Sequence, residues 1–311
     1  MKSVTVVGSG IIGLTSAIAL QEAGFQVKII AKESFEYSLS NKVGAIWFPF
    51  EIAPKEKTNT WATQSYTRYL KDLNSTSGVS VIPFINAYTA DSNTDWKEQL
   101  PKGKVREATK EELPKGMDQA LYAEVPLVEP GMYLPYLFNQ FLAKGGQFQI
   151  DLISSLVEMT KLNDLVVNCT GLGAKEICQD PELYPIRGQI LRCEKLEEVS
   201  FADPTNKGAL RYIINRSNDT IIGGTDYEND WNPEINPDDT ALILKRIKDS
   251  GILQSPKILE ELVGLRPKRT AVRFEFDQDF PSIFHNYGHG GAGYTVAWGC
   301  ALELVEILKK E

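Results

Sequence analysis

The sequence predicts an α/β protein of two parts interleaved along the chain, one built on parallel βαβ units and the other mainly antiparallel α+β. Three observations carry this. Residues 3–30 read as strand, glycine turn, helix and strand. Short β-branched segments separated by turn residues fill Gln189 to Gly224. A glycine-rich stretch at His285 to Gly293 then feeds a closing helix, so segments of βαβ character lie at both ends of the chain. The 311 residues are enough for two such parts, and 42% hydrophobic content supports real cores.

In chain order, Val4-Thr5-Val6-Val7 is a β-branched strand leading into Gly8-Ser9-Gly10-Ile11-Ile12-Gly13. This fits G-x-G-x-x-G in its proper context. Gly8 permits a tight turn, Gly10 lets a pyrophosphate approach the backbone, and Gly13 lets the helix pack on the strand. A helix follows to Glu22, stops at Ala23-Gly24, and gives way to a strand from Gln26 to Ile30. The bland alternative is a βαβ unit without a ligand. After a polar loop and Val43 to Pro49, the pattern predicts a helix from about Thr58 to Leu73 and a strand from about Val79 to Ile85. Ser92 to Gly116 is polar and proline-punctuated, as surface loops with short strands are. A helix at Tyr133 to Lys144 precedes strands at Gln147 to Ile150 and Leu165 to Asn168. Tyr212-Ile213-Ile214 and Thr220-Ile221-Ile222 flank a polar turn and form a hairpin. A helix at Asp238 to Lys248 and a strand at Ala271 to Phe276 follow. Gly288, Gly290, Gly291 and Gly293 make a permissive loop, and Ala297, Ala301, Leu304, Val305 and Leu308 recur at one face of the last helix. Residues 1–50, 135–180 and 283–311 form a Rossmann-like cofactor domain in this reading; 51–134 and 181–282 form the substrate domain.

Composition narrows the function classes. Lys plus Arg is 33 against 41 Asp plus Glu, a net −8, with no basic cluster, which argues against nucleic acid and anionic membranes as partners. No run of eighteen apolar residues suggests a membrane span, and the glycine fingerprint argues against a signal peptide in the first twenty residues. Cys169, Cys178, Cys193 and Cys300 have no metal-ligand or C-x-x-C spacing and suit a reducing, cytoplasmic setting. No metal is expected. The chain ends Lys309-Lys310-Glu311, without an S-K-L peroxisome tail. Only two histidines exist, His285 and His289, and no nucleophile elbow is present. Chemistry that needs no histidine base, such as hydride transfer to a bound redox cofactor, is favoured.

These motifs together resemble the FAD-dependent D-amino-acid oxidase family, which includes D-aspartate oxidases. GSGIIG at the start, Gly44-Ala45-Ile46-Trp47-Phe48-Pro49, Val166-Val167-Asn168-Cys169-Thr170-Gly171, Arg187-Gly188-Gln189, Tyr212-Ile213-Ile214, Gly223-Gly224-Thr225, Gly264-Leu265-Arg266-Pro267, Val272-Arg273 and HNYGHGGAG occur in the family's order over essentially the whole chain. The resemblance implies FAD held by Gly8, Ser9, Gly10, Ile12 and Gly13 at the pyrophosphate turn, by Ser38 and Ser40, and by Gly44, Ala45 and Ile46 along the flavin ring. It also implies contacts from Val166, Thr170, Gly290, Gly291, Gly293, Tyr294 and Thr295, with Glu33 standing in beside Lys32 for the usual acidic ribose ligand.

For the substrate, the resemblance is read as placing the carboxylate clamp at Arg273, which is also given a place beside the flavin. Tyr212 donates its hydroxyl to the same carboxylate, and the Gly291 carbonyl accepts from the amine. Tyr227, just after Gly-Gly-Thr, is a weaker candidate. Strand alternation supports Arg273, since Val272, Phe274 and Phe276 share the opposite face; a surface ion pair is the bland alternative. Arg266 and Arg269 are its rivals, with Arg266 reading as structural before a proline. The implied reaction is oxidative deamination of a D-amino acid by hydride transfer to flavin N5, giving a 2-oxo acid, ammonia and hydrogen peroxide. Acidic Asp226 and Glu228 near the Gly-Gly motif favour neutral substrates, whereas Arg211 and Lys207 would suit a dicarboxylate. Other activities stay open: a D-aspartate oxidase, a same-fold dehydrogenase, a glycine or sarcosine-type oxidase, or a flavin-binding protein without turnover. So do assembly as a homodimer and an active-site lid, whose family tyrosine position is Gly208 here.

Overall fold

The computed structural model describes residues 2–113, 115–161, 163–197, 199–205, 208, 210–249 and 256–310. In chain order the strands are β1 (Ser3–Val7), β2 (Gln26–Ala31), β3 (Val79–Ala87), β4 (Val105–Glu107), β5 (Ala120–Val128), β6 (Gln147–Ile150), β7 (Leu165–Asn168), β8 (Tyr184–Glu194), β9 (Ser200–Asp203), β10 (Arg211–Asn215), β11 (Asp219–Gly223), β12 (Tyr227–Glu228), β13 (Ile258–Phe276) and β14 (Ile283–His289). The helices are α1 (Ile11–Glu22), α2 (Lys55–Lys71), α3 (Pro130–Ala143), α4 (Leu156–Met159), α5 (Ala174–Ile177), α6 (Pro237–Asp249) and α7 (Gly293–Leu308). The chain divides into two compact units, residues 1–79, 128–185 and 266–311 in the first and 80–127 and 186–265 in the second. Segments 51–79, 128–134, 181–185 and 266–282, grouped with the substrate part by sequence, pack in the first unit. The reason is that α2 lies on α7, and the second half of β13 pairs with β14.

The first unit carries the parallel sheet, in the order β14-β7-β1-β2-β6. β1 and β7 are inner strands. Val4, Val6, Val166 and Val167 are fully buried there, the near-continuous apolar character expected of strands covered on both faces. α1 packs against α7 and α3. Val7, Ile30, Val166 and Ile283 form a core with Ile153 and Leu156. The second unit is mainly antiparallel: β9, β10 and β11 form a meander, β8 lies antiparallel on β11, β4 pairs with β5, and β3 runs parallel to β9. Its core joins Ile85, Leu191, Phe201, Ile213 and Ile222 to Ile243 and Ile247 of α6. The hairpin forms as its sequence predicts, with Ile213 opposite Ile222.

The glycine stretch near the C-terminus is only partly a loop. His285 to His289 belong to β14, buried between β13 and β7, and the turn is confined to Gly290 to Ala292. Pairing with β13 at Tyr287 and His289 carries the strand past Gly288, which itself takes φ +92. Among the described residues, no helix is long and apolar enough to cross a membrane, no group of three or more His, Cys, Asp and Glu side chains is placed to hold a metal ion, and all four cysteines are free.

Candidate cofactor and substrate site

The βαβ turn is shaped by its glycines. Gly8 sits at φ +121, and a Cβ there would overlap the Cys169 carbonyl at the end of β7. A Cβ on Gly13 would overlap the Gly8 carbonyl, so α1 can approach β1 only without one. α1 starts with Gly10 at its N-cap and no side-chain cap of its own; the Ser40 Oγ accepts from the Ile11 N–H at 3.0 Å instead. The Ser9 hydroxyl donates to the Glu33 carbonyl at 2.9 Å, which ties the turn to the end of β2.

A strap from Ser38 to Phe48 lies against both helix starts. Tyr294 of α7 donates its hydroxyl to the Ser40 carbonyl at 2.9 Å. Thr295 donates to the Phe48 carbonyl at 2.9 Å and accepts from the Phe48 N–H at 3.1 Å. Ala45 is held at φ +51, unusual for a residue with a Cβ, while its carbonyl accepts from the Val128 N–H. Trp47, fully buried, anchors the strap through Nε1 to the Ala62 carbonyl. Gly293 opens α7 with no side-chain cap, and a Cβ on it would lie 3.8 Å from Ile11 Cγ2. The N-termini of α1 and α7 therefore adjoin. The free first-turn N–H groups and partial positive charge of each helix start suit an anionic or electron-rich group.

Three of the expected flavin contacts are placed differently. Val166 is mid-strand in β7, paired with Thr5 and Ile283 on its two sides, and its side chain is in the core, so neither its backbone nor its side chain can reach a ligand. Thr170, just past the end of that strand, is held by Asn168: the Asn168 Oδ1 accepts from the Thr170 Oγ1 at 2.7 Å and its N–H at 3.2 Å. Asn168 is held in turn by His285, which accepts at Nδ1 and donates from Nε2 to Asp277 at 2.9 Å. Ser38 donates to the Phe35 carbonyl at 2.6 Å and closes a local turn. Glu33 offers its carbonyl to Ser9, while its carboxylate is half-exposed, 3.7 Å from Lys32.

The arginines of β13 are the largest correction. Lys268 pairs with His289 and Arg273 with Tyr287, so five residues on β13 span two on β14. The bulge lies before Arg273, so the alternation of buried Val272 and Phe274 with Arg273 is kept, but the face that Arg273 shares is occupied by the protein's own partners. Arg273 instead donates from Nη1 to the Tyr287 hydroxyl at 3.0 Å and from Nε to Glu275 at 3.1 Å, with Asp277 at 3.7 Å. Tyr287 donates to Asp180 at 2.7 Å, and Arg269 pairs with Asp180 and Glu182. Burial tends to raise the Asp180 carboxyl, but Tyr287 and Arg269 together hold it below the ordinary range. Arg266 lies elsewhere: a Cβ on Gly291 would meet its Cδ at 3.6 Å and its Nε at 4.0 Å. The cation beside Gly291 is thus Arg266. The signal was in the sequence, since Arg266 belongs to the Gly264-Leu265-Arg266-Pro267 motif itself.

In the second unit Tyr212, half-buried on β10, faces Gly223 across the hairpin. Tyr227 donates its hydroxyl to Asp239 at 2.8 Å, and Asp239 also holds buried Arg187 at 2.6 Å. The hydroxyl of Tyr227, expected at the substrate, is thus committed to Asp239 and its network with Arg187. Arg211 is bound twice by buried Asp203, opposite it on β9, at 2.8 Å. It points to the face of β10 away from Tyr212. Lys207 lies outside the described residues.

His289 is fully buried and pushed down to about 3 by burial, with Cys300 Sγ 3.7 Å from Nε2. His285 is also lowered, by burial first, despite its bond to Asp277. Both rings are neutral and structural.

A family model described as FAD dependent oxidoreductase matches residues 3–307. The chain belongs to that family, and it is an oxidoreductase whose cofactor is FAD. Among similar proteins, the D-amino-acid oxidase of Rubrobacter xylanophilus is 36% identical over 306 residues, covering 96% of this chain and 93% of that protein. The D-amino-acid oxidase of Streptomyces coelicolor is 34% identical over 313 residues, covering 98% and 96%. The solved L-proline dehydrogenase from P. horikoshii has a TM-score of 0.81 over 99% of this chain and 93% of that one at 16% identity, a likeness of fold. The donor set suits FAD. The N-terminus of α1 fits a pyrophosphate, and the Gly8 and Gly13 positions leave no room for side chains that would fill the turn.

Proposed function

We propose that this protein catalyses the FAD-dependent oxidative deamination of neutral D-amino acids to 2-oxo acids, ammonia and hydrogen peroxide. The observation that carries the reading is Arg266 set against Gly291 beside the start of α7. One positive fork and one backbone turn can then receive the two ends of an α-amino acid. The full-length relatives named D-amino-acid oxidase support the substrate class.

The roles follow from charge and shape. Arg266 binds the substrate carboxylate through its planar fork, which suits bidentate contact. The Gly291 carbonyl accepts from the substrate amine, and Tyr212 is the hydroxyl donor to the substrate that the family resemblance implies. FAD, when bound, supplies the acceptor for the α-hydride. Gly8, Ser9, Gly10, Ile12, Gly13 and Ser40 hold its pyrophosphate side. Gly44, Ala45, Ile46, Thr170, Gly290, Gly293, Tyr294 and Thr295 line the rest. No side-chain base is required: His285 commits both ring nitrogens, and His289 is sealed in the core. Positioning therefore provides much of the rate. Arg211, neutralised by Asp203 and turned from Tyr212, supports neutral side chains over dicarboxylates. Four unpaired cysteines support a reducing, cytoplasmic setting.

The test is a peroxide assay over D- and L-amino acids with the purified, FAD-loaded protein. Peroxide formed with D-alanine and not L-alanine is expected. Flavin reduction by D-alanine that passes electrons only to a dye, without oxygen uptake, would make the protein a dehydrogenase.

A further inference from the structure

Tyr212 does not set its own position. It faces Gly223 in the β10–β11 register, and its ring lies directly over that glycine. A Cβ on Gly223 would overlap the ring carbon that bears the hydroxyl, and one on Gly224 would come within 3.2 Å of the hydroxyl oxygen and 2.9 Å of the Gln189 carbonyl. The floor under the ring is therefore bare backbone. That backbone is fastened from below by one side chain. Arg246, in the last turn of α6, donates from Nη1 to the carbonyls of Gly224 at 3.1 Å and Leu210 at 3.3 Å, and from Nη2 to the Gly208 carbonyl at 2.6 Å. Gly224 also donates its N–H to the Leu210 carbonyl at 3.4 Å. One guanidinium thus joins the segment that leads into Tyr212 to the glycine pair on which Tyr212 rests.

We propose that Arg246 and Gly223 are positioning residues for Tyr212: the bare glycine floor fixes the height of the ring, and Arg246 locks that floor to the entry of β10, so that the hydroxyl is held ready for the substrate. The inference rests on the substrate role of Tyr212. Carbonyls at three chain positions need a donor with a rigid fork, which arginine has and lysine lacks. The hydroxyl has little to gain from a substrate if its ring can shift, because misplacement of a binding group by about 1 Å is enough to lose the contact.

The test compares Tyr212→Phe, Arg246→Met, Arg246→Lys and the double variant Tyr212→Phe/Arg246→Met in the FAD-loaded enzyme, with D-alanine as substrate. Flavin content and melting temperature are recorded for each. Tyr212→Phe is expected to raise KM about tenfold or more. Arg246→Met is expected to raise KM about fivefold with kcat within about twofold, and Arg246→Lys to fall between it and the parent. In the double variant, Arg246→Met should change KM by less than about twofold, because there is no hydroxyl left to position. Gly223→Ala, which acts by steric displacement and leaves Arg246 intact, should repeat the KM signature. A raised KM for Tyr212→Phe with an unchanged KM for Arg246→Met overturns the positioning inference alone, as do effects that multiply independently in the double variant. An unchanged KM for Tyr212→Phe overturns the role of Tyr212 and the inference with it.

Discussion

Arg266→Ala and Arg273→Ala separate the two arginines that sequence alone leaves in competition. Arg273 is held by Tyr287, Glu275 and Asp277. Its partner Glu275 has a side chain 55% exposed, so that pair is screened and contributes at most about 1 kcal/mol. The hydrogen bond to Tyr287 adds about 1–2 kcal/mol, and Tyr287 keeps Asp180 when the arginine is gone. Arg273→Ala should therefore cost about 2 kcal/mol of stability, with kcat/KM for D-alanine within a few-fold of the parent. Arg266→Ala removes the proposed bidentate partner of the substrate carboxylate. That loss is about 2–5 kcal/mol, or roughly 30- to 4000-fold in kcat/KM. Arg266→Lys should recover only part of it, since the charge stays and the fork goes. Steady-state peroxide kinetics, normalised to flavin content, read the difference. If Arg273→Ala loses a hundredfold with full flavin and Arg266→Ala loses little, the clamp is Arg273 after all and the placement beside Gly291 has no bearing on substrate.

Three further outcomes are expected. Gly13→Ala places a Cβ against the Gly8 carbonyl and should cost about 1–3 kcal/mol or more and release FAD; a variant that keeps full flavin and its melting temperature would show that α1 can move away from β1 without penalty. Below pH 6.5 an exposed histidine takes up a proton in the unfolded chain, while buried His289 resists until about pH 3, so stability should fall with pH across that window by about 1.4 kcal/mol per unit. His289→Gln should flatten that slope in urea titrations between pH 6.5 and 4.5, and an unchanged slope would show that the ring is not the source. D-aspartate should be a poorer substrate than D-alanine because Arg211 is held by Asp203; kcat/KM in the reverse order would mean that Arg211 leaves that pair and turns toward the substrate.

Periodicity and local chemistry made much of the fold legible. Gln147 to Ile150 and Leu165 to Asn168 are strands with the expected bounds, and the Tyr212 hairpin forms where its turn signal lies. Such segments are decided by their own residues. The site was less legible, because its errors are all of register and direction. Val166 follows the family's motif order, yet only a sheet with neighbours on both sides shows that the residue has no open edge. Tyr227 has the right spacing after Gly-Gly-Thr, but its hydroxyl is drawn to Asp239 by the need to satisfy a buried carboxylate that already holds Arg187. Arg246 gives no signal at all in sequence. It sits in a polar helix among Lys245 and Lys248, and its bonds to three carbonyls on two separate chain segments leave no spacing to find.

The arginine-rich run of β13 shows why net charge is a poor guide to where an anion binds. The chain carries −8 overall, yet Arg266, Lys268, Arg269 and Arg273 fall within eight residues. Arg269 and Arg273 are matched by Asp180, Glu182, Glu275 and Asp277, so that end of the strand presents little uncompensated field. At the other end Lys268 donates to the Glu51 carbonyl, which leaves its charge in place, and Arg266 lies beside Gly291 just before the N-terminus of α7. Two cations and a helix N-terminus then lie within a few residues of one another at the glycine turn. The bulge between Lys268 and Arg273 is what separates the two ends: it turns one group of arginines into the ion-pair network around Tyr287 and leaves the other at the glycine turn. The proposed carboxylate site therefore falls at the end of β13 that adjoins the glycine turn, and a variant that removes the bulge is expected to move Arg266 relative to Gly291.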